Sequence, residues 1–181
     1  MPQCGMTIAF TALMLAAAVP ATPPPVAPAE QRFAIGATGI ILPTPPGYCL
    51  PAGNAETAIA MVNAADTMND TPAALVSCRP GVQPLDDYYL FKSPKQAATF
   101  ELSRPVLLAG QDQVCGYLLG SFTVEAGGRQ ERLTAAVCVT SIKRKVININ
   151  HYEPTSAGRS KVQMLADVRA MAERMIAANE K

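Results

Sequence analysis

The sequence predicts an α+β fold: an antiparallel sheet with one helix near the amino terminus and a long carboxy-terminal helix packed on it. Three observations support this prediction. Between residues 114 and 153, apolar runs rich in β-branched and aromatic residues follow one another, which favours sequential antiparallel strands. Residues 55–68 have helical periodicity. A second helical segment with an apolar stripe ends the chain.

The first 29 residues predict an export signal followed by a spacer. They contain no Asp, Glu, Lys, Arg or His, and residues 7–19 form an apolar run of 13. This length matches the hydrophobic region of a signal peptide and is shorter than the about 20 residues of a membrane-spanning helix. Small residues favour cleavage after Ala29, with Ala21 as the alternative. No Lys or Arg precedes the run, and a buried amino-terminal helix is the other interpretation.

The remaining composition indicates one ordinary globular domain. Proline-rich sequence keeps the chain extended to about Gln31, so we expect a single domain over residues 30–181. A domain of this length needs neither metal nor cofactor to fold, and we expect none. The net charge of +1 argues against nucleic-acid binding. The one basic cluster, Lys143-Arg144-Lys145, is typical of an exposed hairpin turn.

Four cysteines follow the signal region, and they predict two disulfides. An even number in an exported chain is typical of an oxidising compartment. No pair has the Cys-x-x-Cys spacing, and the only histidine, His151, is far from every cysteine in sequence. Free buried thiols and a metal or catalytic role are the alternatives. Of three possible pairings we favour Cys49 with Cys78 and Cys115 with Cys138.

The hairpin that contains the last two cysteines has two possible registers. A turn centred between Ala126 and Gly127 sets Cys115 opposite Cys138. A turn centred on the glycine pair itself, which is better two-residue turn chemistry, sets Cys115 opposite Thr140.

Local patterns predict the elements in chain order. Phe33–Leu42 is expected to form one strand, weakened by Gly36 and Gly39, that ends at "PTPPG". Asn54 is expected to cap a helix over Ala55–Met68 whose apolar face is buried. The later predicted strands are Ala73–Cys78, Asp87–Ser93, Val114–Glu125, Arg132–Ile142 and Lys145–Glu153, with a short helix after Pro94.

The last predicted helix begins after Ser160, a good amino-terminal cap. Its predicted buried stripe consists of Leu165, Val168, Ala172, Met175 and Ile176, and its predicted outer face of Arg169, Glu173 and Arg174.

Two segments resemble a known family. "ILPTPPGY", residues 41–48, is a strand that leads into a proline-glycine-aromatic turn, and "VININHYEP" is a strand followed by a long helix. Both are similar to the PsbP/Mog1-like α/β sandwiches, whose domains often begin and end in this way. The resemblance covers most of the mature chain as topology and only these two segments as sequence. It implies a binding or assembly accessory, and no functional residue of the family carries over.

Motifs for catalysis are scarce in the sequence. It contains no G-x-S-x-G, H-E-x-x-H or phosphate-binding loop. His151 would be the only imidazole of any nucleophile–histidine pair, and alternation places it with Ile147 and Ile149. We expect a satisfied or half-exposed histidine near a sheet edge, with catalysis as the alternative. The carboxylates of Asp86-Asp87 and Glu153 lie at element ends, where charges are usually solvated.

The opposite face of the same strand carries the candidate binding residues. Asn148, Asn150 and Tyr152 are expected on a solvated face, where two amides and a phenol could hydrogen-bond a peptide or a glycan. His151, at the end of this strand, is included as a further binding candidate. Ordinary solvent exposure explains the same residues as well.

The function predicted from these features is that of an exported, periplasmic or secreted, non-catalytic binding or accessory protein of a bacterial-type cell envelope. Its partner would be an unidentified protein or small molecule, without nucleic acid or a stable transmembrane span. One alternative is a small secreted hydrolase that uses His151. Another is a structural envelope protein held by an uncleaved amino-terminal segment.

Overall fold

The computed structural model describes residues 30–98, 112–126 and 129–180, and the predicted signal peptide and spacer lie outside these ranges. The elements are β1 (Glu30–Ile35), β2 (Thr38–Pro43), β3 (Tyr48–Cys49), α1 (Asn54–Ala65), β4 (Asn69–Ser77), β5 (Tyr88–Pro94), β6 (Gly116–Ala126), β7 (Arg129–Ile142), β8 (Lys145–Pro154) and α2 (Lys161–Asn179). Short 3₁₀ turns follow β5, at Lys95–Ala98, and β8, and the rest of the helix predicted after Pro94 lies outside the described residues.

The architecture is α+β, as predicted. Six strands form an antiparallel sheet in the order β3-β4-β5-β8-β7-β6, and β1 and β2 form a separate hairpin. Helix α2 packs on β7 and β8 and also contacts β2, so the hairpin and the helix share one core with the sheet. This core places β8, the strand that carries His151, in the middle of the sheet.

Helix α2 forms as its sequence predicts. The side chain of Ser160 accepts a hydrogen bond from the Gln163 backbone, and the Gln163 side chain accepts one from the Ser160 backbone, which completes a capping box. Val168, Ala172 and Met175 of the predicted stripe are buried, Leu165 and Ile176 are partly buried, and Met164 and Met171 join them in the core. At the far end, Asn179 exchanges two hydrogen bonds with the Ile41 backbone and so ties α2 to β2.

The prediction of a single first strand is wrong, because this segment forms a hairpin of two strands. Ile35 pairs with Thr38 across a turn that contains Gly36 at φ 59°. Residues other than glycine rarely adopt this left-handed conformation, so Gly36 allows the chain to reverse where a single strand was expected. The short strand β3, which follows the proline-rich turn, was not predicted.

Helix α1 is shorter and more exposed than predicted. Gly53 rather than Asn54 occupies the cap position, and the helix ends before Asp66, whose carboxylate accepts the backbone hydrogens of Met68 and Asn69. Of its residues only Ala55 is buried, and the expected apolar face is open, with Met61 68% exposed. The helix packs beside β4, near the β3 edge of the sheet, and contributes little to the core.

Both disulfides of the favoured pairing are present, Cys49–Cys78 and Cys115–Cys138. In the β6–β7 hairpin Gly116 pairs with Val139, which is the register of the turn centred on the glycine pair. Cys115 therefore reaches Cys138 diagonally from just before β6.

The basic cluster is only partly an exposed turn. Lys143 and Arg144 are exposed with positive φ, whereas Lys145 is 3% exposed. None of the helices that the structure describes is long and apolar enough to span a membrane.

Candidate functional site

The disulfide between Cys49 and Cys78 brings together two side chains that begin the candidate site. Tyr48 precedes one cysteine and Arg79 follows the other, and the backbone of Cys78 donates to the Gly47 carbonyl at 2.9 Å. The Arg79 guanidinium lies over the Tyr48 ring, 5.8 Å from its centroid. The cysteine after the proline-rich turn thus positions functional groups as well as the turn.

Asp87, just before β5, is the centre of the site. Its carboxylate accepts hydrogen bonds from the Tyr48 hydroxyl at 2.6 Å, from His151 Nε2 at 2.7 Å and from Arg79. Burial alone would raise the pKa of Asp87. The hydrogen bonds from His151 and Tyr48 and the Arg79 charge outweigh burial and hold that pKa below its ordinary value. Asp87 is therefore a buried, ionised carboxylate.

The Tyr48 hydroxyl is a fixed hydrogen-bond donor. Burial, the neighbouring Tyr89 phenol and the bond to Asp87 raise the pKa of Tyr48 far above its ordinary value, so the group stays protonated. Its ring also packs edge-on against Tyr89, with centroids 5.0 Å apart.

His151 is fully buried between strand and helix. Its ring stacks on Tyr89 at 4.3 Å between centroids and an angle of 9°. Because a carboxylate only accepts, Nε2 carries the hydrogen that Asp87 binds, and Glu153 lies 3.3 Å from the same nitrogen. Nδ1 faces Asp167 of α2 at 3.9 Å and has no hydrogen-bond partner among the described residues.

Arg159 closes the site from the loop before α2. Its Nη1 lies 2.5 Å from Glu153 Oε1 and its Nη2 2.5 Å from Asp167 Oδ2. Burial lowers the pKa of Arg159, but the two carboxylates outweigh it and raise the pKa above its ordinary value. The arginine therefore joins β8 to α2 as a permanent cation.

The donor set could in principle hold a metal ion. One donor atom each from Asp87, His151 and Glu153 lies within 4.8 Å of the others. However, Arg79 and Arg159 already neutralise both carboxylates, and the histidine nitrogen is committed to Asp87. A cation would have to displace both guanidinium groups, so the arrangement favours a network of ion pairs.

Two clefts open on either side of this network, and Arg79 and Arg159 line both. The acidic cleft, of about 400 Å³, also contains Asp86, Asp87 and Glu153. The arginine cleft, of about 200 Å³, is lined by Pro45, Pro46, Tyr48, Arg79, Tyr89, Arg159, Asp167, Ala170, Met171 and Arg174. The side chains of Arg79 and Arg159 are 46% and 33% exposed, so solutes can reach both guanidinium groups.

The predicted binding residues of β8 lie on the opposite face from His151. Asn150 is 7% exposed and donates to the Leu90 and Asn148 carbonyls, so its amide is used inside the sheet. Asn148 and Tyr152 are half-buried, and Tyr152 stacks on Tyr88 with centroids 5.0 Å apart. This face is less solvated than expected, and the structure does not bring these three residues into the clefts.

Three expectations about charged or titratable residues are wrong. His151 lies on a central strand, away from any sheet edge, and is 0% exposed. Asp87 and Glu153 are 3% and 4% exposed, although carboxylates at element ends were expected in solvent. Alternation offered a signal, because Glu153 follows His151 by two residues and so shares its face of β8. For Arg79, Arg159 and Asp167 the sequence offered no comparable signal.

No match was found for this chain among models of protein families, curated proteins or solved structures.

Proposed function

We propose that the protein is an exported, non-catalytic binding or accessory protein of a bacterial-type cell envelope. The observation that carries the proposal is a preformed, ion-paired site between two open clefts, held in place by a disulfide. Two disulfides fit an oxidising compartment, and the amino-terminal sequence pattern fits export. The resemblance of residues 41–48 and 146–154 to PsbP/Mog1-like sandwiches implies the same class of function.

The position of His151 favours binding over turnover. A general base must lie within hydrogen-bond reach of the proton that it removes. The ring of His151 is 0% exposed, its Nε2 bonds to Asp87, and Tyr89 covers one face. All four cysteines that follow the predicted signal region are in disulfides and are therefore not nucleophiles.

A turnover assay tests this proposal against the hydrolase alternative. The oxidised protein is incubated with chromogenic esters, phosphate monoesters and glycosides and with fluorogenic peptides. We expect no turnover above buffer. Turnover that His151→Ala abolishes, with the circular dichroism spectrum unchanged, would show a hydrolase.

Crosslinking in cells tests the binding role directly. A photoreactive residue replaces Val82, which lines the acidic cleft, and in a control variant replaces Val162, which is 76% exposed at the start of α2. We expect a covalent adduct of constant mass from position 82 and none from position 162. Equal labelling from both positions, or none from position 82, would contradict a partner at the acidic cleft.

A further inference from the structure

The arginine cleft lies where the proline-rich turn, the end of β4 and helix α2 meet. Three guanidinium groups line it, from Arg79, Arg159 and Arg174, against the single carboxylate of Asp167. The phenol rings of Tyr48 and Tyr89 form part of the wall. Asp87 and Glu153, which pair with Arg79 and Arg159, lie outside this lining, so the positive charge in excess is that of Arg174.

Two of these arginines are held in place by ion pairs but still have N–H donors that those pairs do not use. Arg79 uses Nε toward Ser77 and Nη2 toward Asp87, and Arg159 uses Nη1 and Nη2 toward Glu153 and Asp167. A guanidinium carries five N–H donors, so each retains donors beyond those described ion pairs. The ion pairs hold the groups in place before a ligand arrives, which lowers the entropy cost of binding.

Arg174, the third arginine of the cleft, has no counter-ion among the residues that the structure describes. Arg174 is exposed, and no ion pair joins it to another residue in the described part of the chain. It follows Asp167, Ala170 and Met171 at seven, four and three residues, so all four lie on one face of α2 and line the cleft. A second exposed arginine of this helix, Arg169, instead pairs with Asp112 and Glu173.

We propose that the arginine cleft binds a small oxyanion, a phosphate or carboxylate group, through Arg174 together with Arg79 and Arg159. Guanidinium groups bind both kinds of oxyanion through paired, charge-assisted hydrogen bonds. A water occupies about 30 Å³ of liquid, so a cleft of about 200 Å³ accepts one such group with a few waters. The acidic cleft is a poorer site, because it contains the additional carboxylate of Asp86 and lacks Arg174.

Asp167 opposes the ligand in this site. Its Oδ2 lies 2.5 Å from Arg159 Nη2, so it offsets part of the positive charge that a bound anion would meet. Asp167→Asn should therefore tighten oxyanion binding, whereas Arg174→Gln should weaken it. Effects of opposite sign within one cleft distinguish a ligand site from general damage to the fold.

The test is an NMR titration of the oxidised full chain with inorganic phosphate, and separately with malonate, at constant ionic strength. The side-chain Nε–Hε signals of the arginines report the site. Those of Arg79, Arg159 and Arg174 should shift together with one dissociation constant, and that of Arg169 should not. The tighter of the two ligands identifies the oxyanion as phosphate or carboxylate.

Variants then identify the groups responsible. Arg174→Gln should weaken binding about fivefold, because Arg174 is exposed and a solvent-screened charge pair contributes at most about that factor. Arg174→Lys should keep part of the affinity, and the matched control Arg169→Gln should change it less than about twofold. Equal shifts at all arginines, or the same affinity in Arg174→Gln, would overturn the proposal.

This inference rests on the proposed binding function, but the two fail separately. If neither oxyanion binding nor turnover is observed, the oxyanion site is refuted and the proposed binding function stands. Turnover that depends on His151 would refute the proposal of a non-catalytic binding protein, whatever the titration shows.

Discussion

Replacing Asp87 by Asn should weaken the fold more than any conservative surface change. The carboxylate is 3% exposed and accepts hydrogen bonds from Tyr48, His151 and Arg79. An asparagine keeps one acceptor oxygen and presents an NH₂ group to the remaining donors. Tyr48 and His151 both donate to Oδ1, so an asparagine oxygen at that position still accepts from both, as a neutral acceptor. The NH₂ group then faces Arg79, whose charge loses its counter-ion.

The magnitude follows from these contacts. A hydrogen bond to a charged group contributes about 1.5–3 kcal/mol and one to a neutral group about 0.5–1.5 kcal/mol, so the bonds from Tyr48 and His151 should each weaken by about 1 kcal/mol. The Arg79 pair adds at most about 1 kcal/mol, because that side chain is 46% exposed. We expect the free energy of unfolding to fall by about 2–3 kcal/mol, out of a total of about 5–15 kcal/mol.

Urea denaturation followed by circular dichroism at pH 7 measures this loss. Asp86→Asn is the matched control, because Asp86 is the adjacent aspartate and is exposed, and its free energy of unfolding should change by less than about 0.5 kcal/mol. A loss below about 1 kcal/mol for Asp87→Asn, or equal losses for the two variants, would refute the reasoning that the network is a buried, coupled unit.

Three further predictions concern pH, a disulfide and a helix cap. The folded pKa of Asp87 is lowered, so its contribution is present above the unfolded value of about 3.9 and is lost as pH falls through the folded pKa. The stability gap between wild type and Asp87→Asn should accordingly narrow as pH falls below about 5, measured by urea titrations at each pH. In the double variant Cys49→Ser/Cys78→Ser the free energy of unfolding, measured by urea titration, should fall by about 3–4 kcal/mol, because the bond closes a loop with a sequence separation of 29. A fall of less than about 1 kcal/mol would contradict a structural role for this disulfide. Ser160→Ala should lose about 1 kcal/mol by removing the capping box of α2, and an unchanged thermal midpoint would contradict it.

Most of the architecture follows from local patterns. Alternation along β8 and the helical stripe and cap of α2 each identify an element that the structure contains. The sequence-based predictions fail where a single glycine or a neighbouring element determines the local structure. Gly36 turns a predicted strand into a hairpin, and α1 leaves Met61 exposed because it packs beside an edge of the sheet. Periodicity identifies an apolar face but not what covers it.

The site was harder to predict because its members come from widely separated parts of the chain. His151 and Glu153 share a strand face, and this signal is local. Asp87 joins them through the β5–β8 pairing, in which Tyr89 lies opposite His151. The position of Arg79 depends on the Cys49–Cys78 disulfide, and the position of Asp167 depends on how α2 packs on the sheet. Such long-range contacts leave no spacing rule in the sequence, so burial of the three carboxyl and imidazole groups went unpredicted.

The central claim is that an exported chain uses a disulfide to hold its binding site, and mapping the cysteines tests this most directly. The full chain is produced with its own amino terminus, recovered from the periplasm or medium, weighed intact and digested without reductant. We expect a mass without the first 29 residues, no free thiol in denaturant, and Cys49 linked to Cys78. A free Cys49, a different pairing, or retention of residues 1–29 with the thiol of Cys4 would contradict the account.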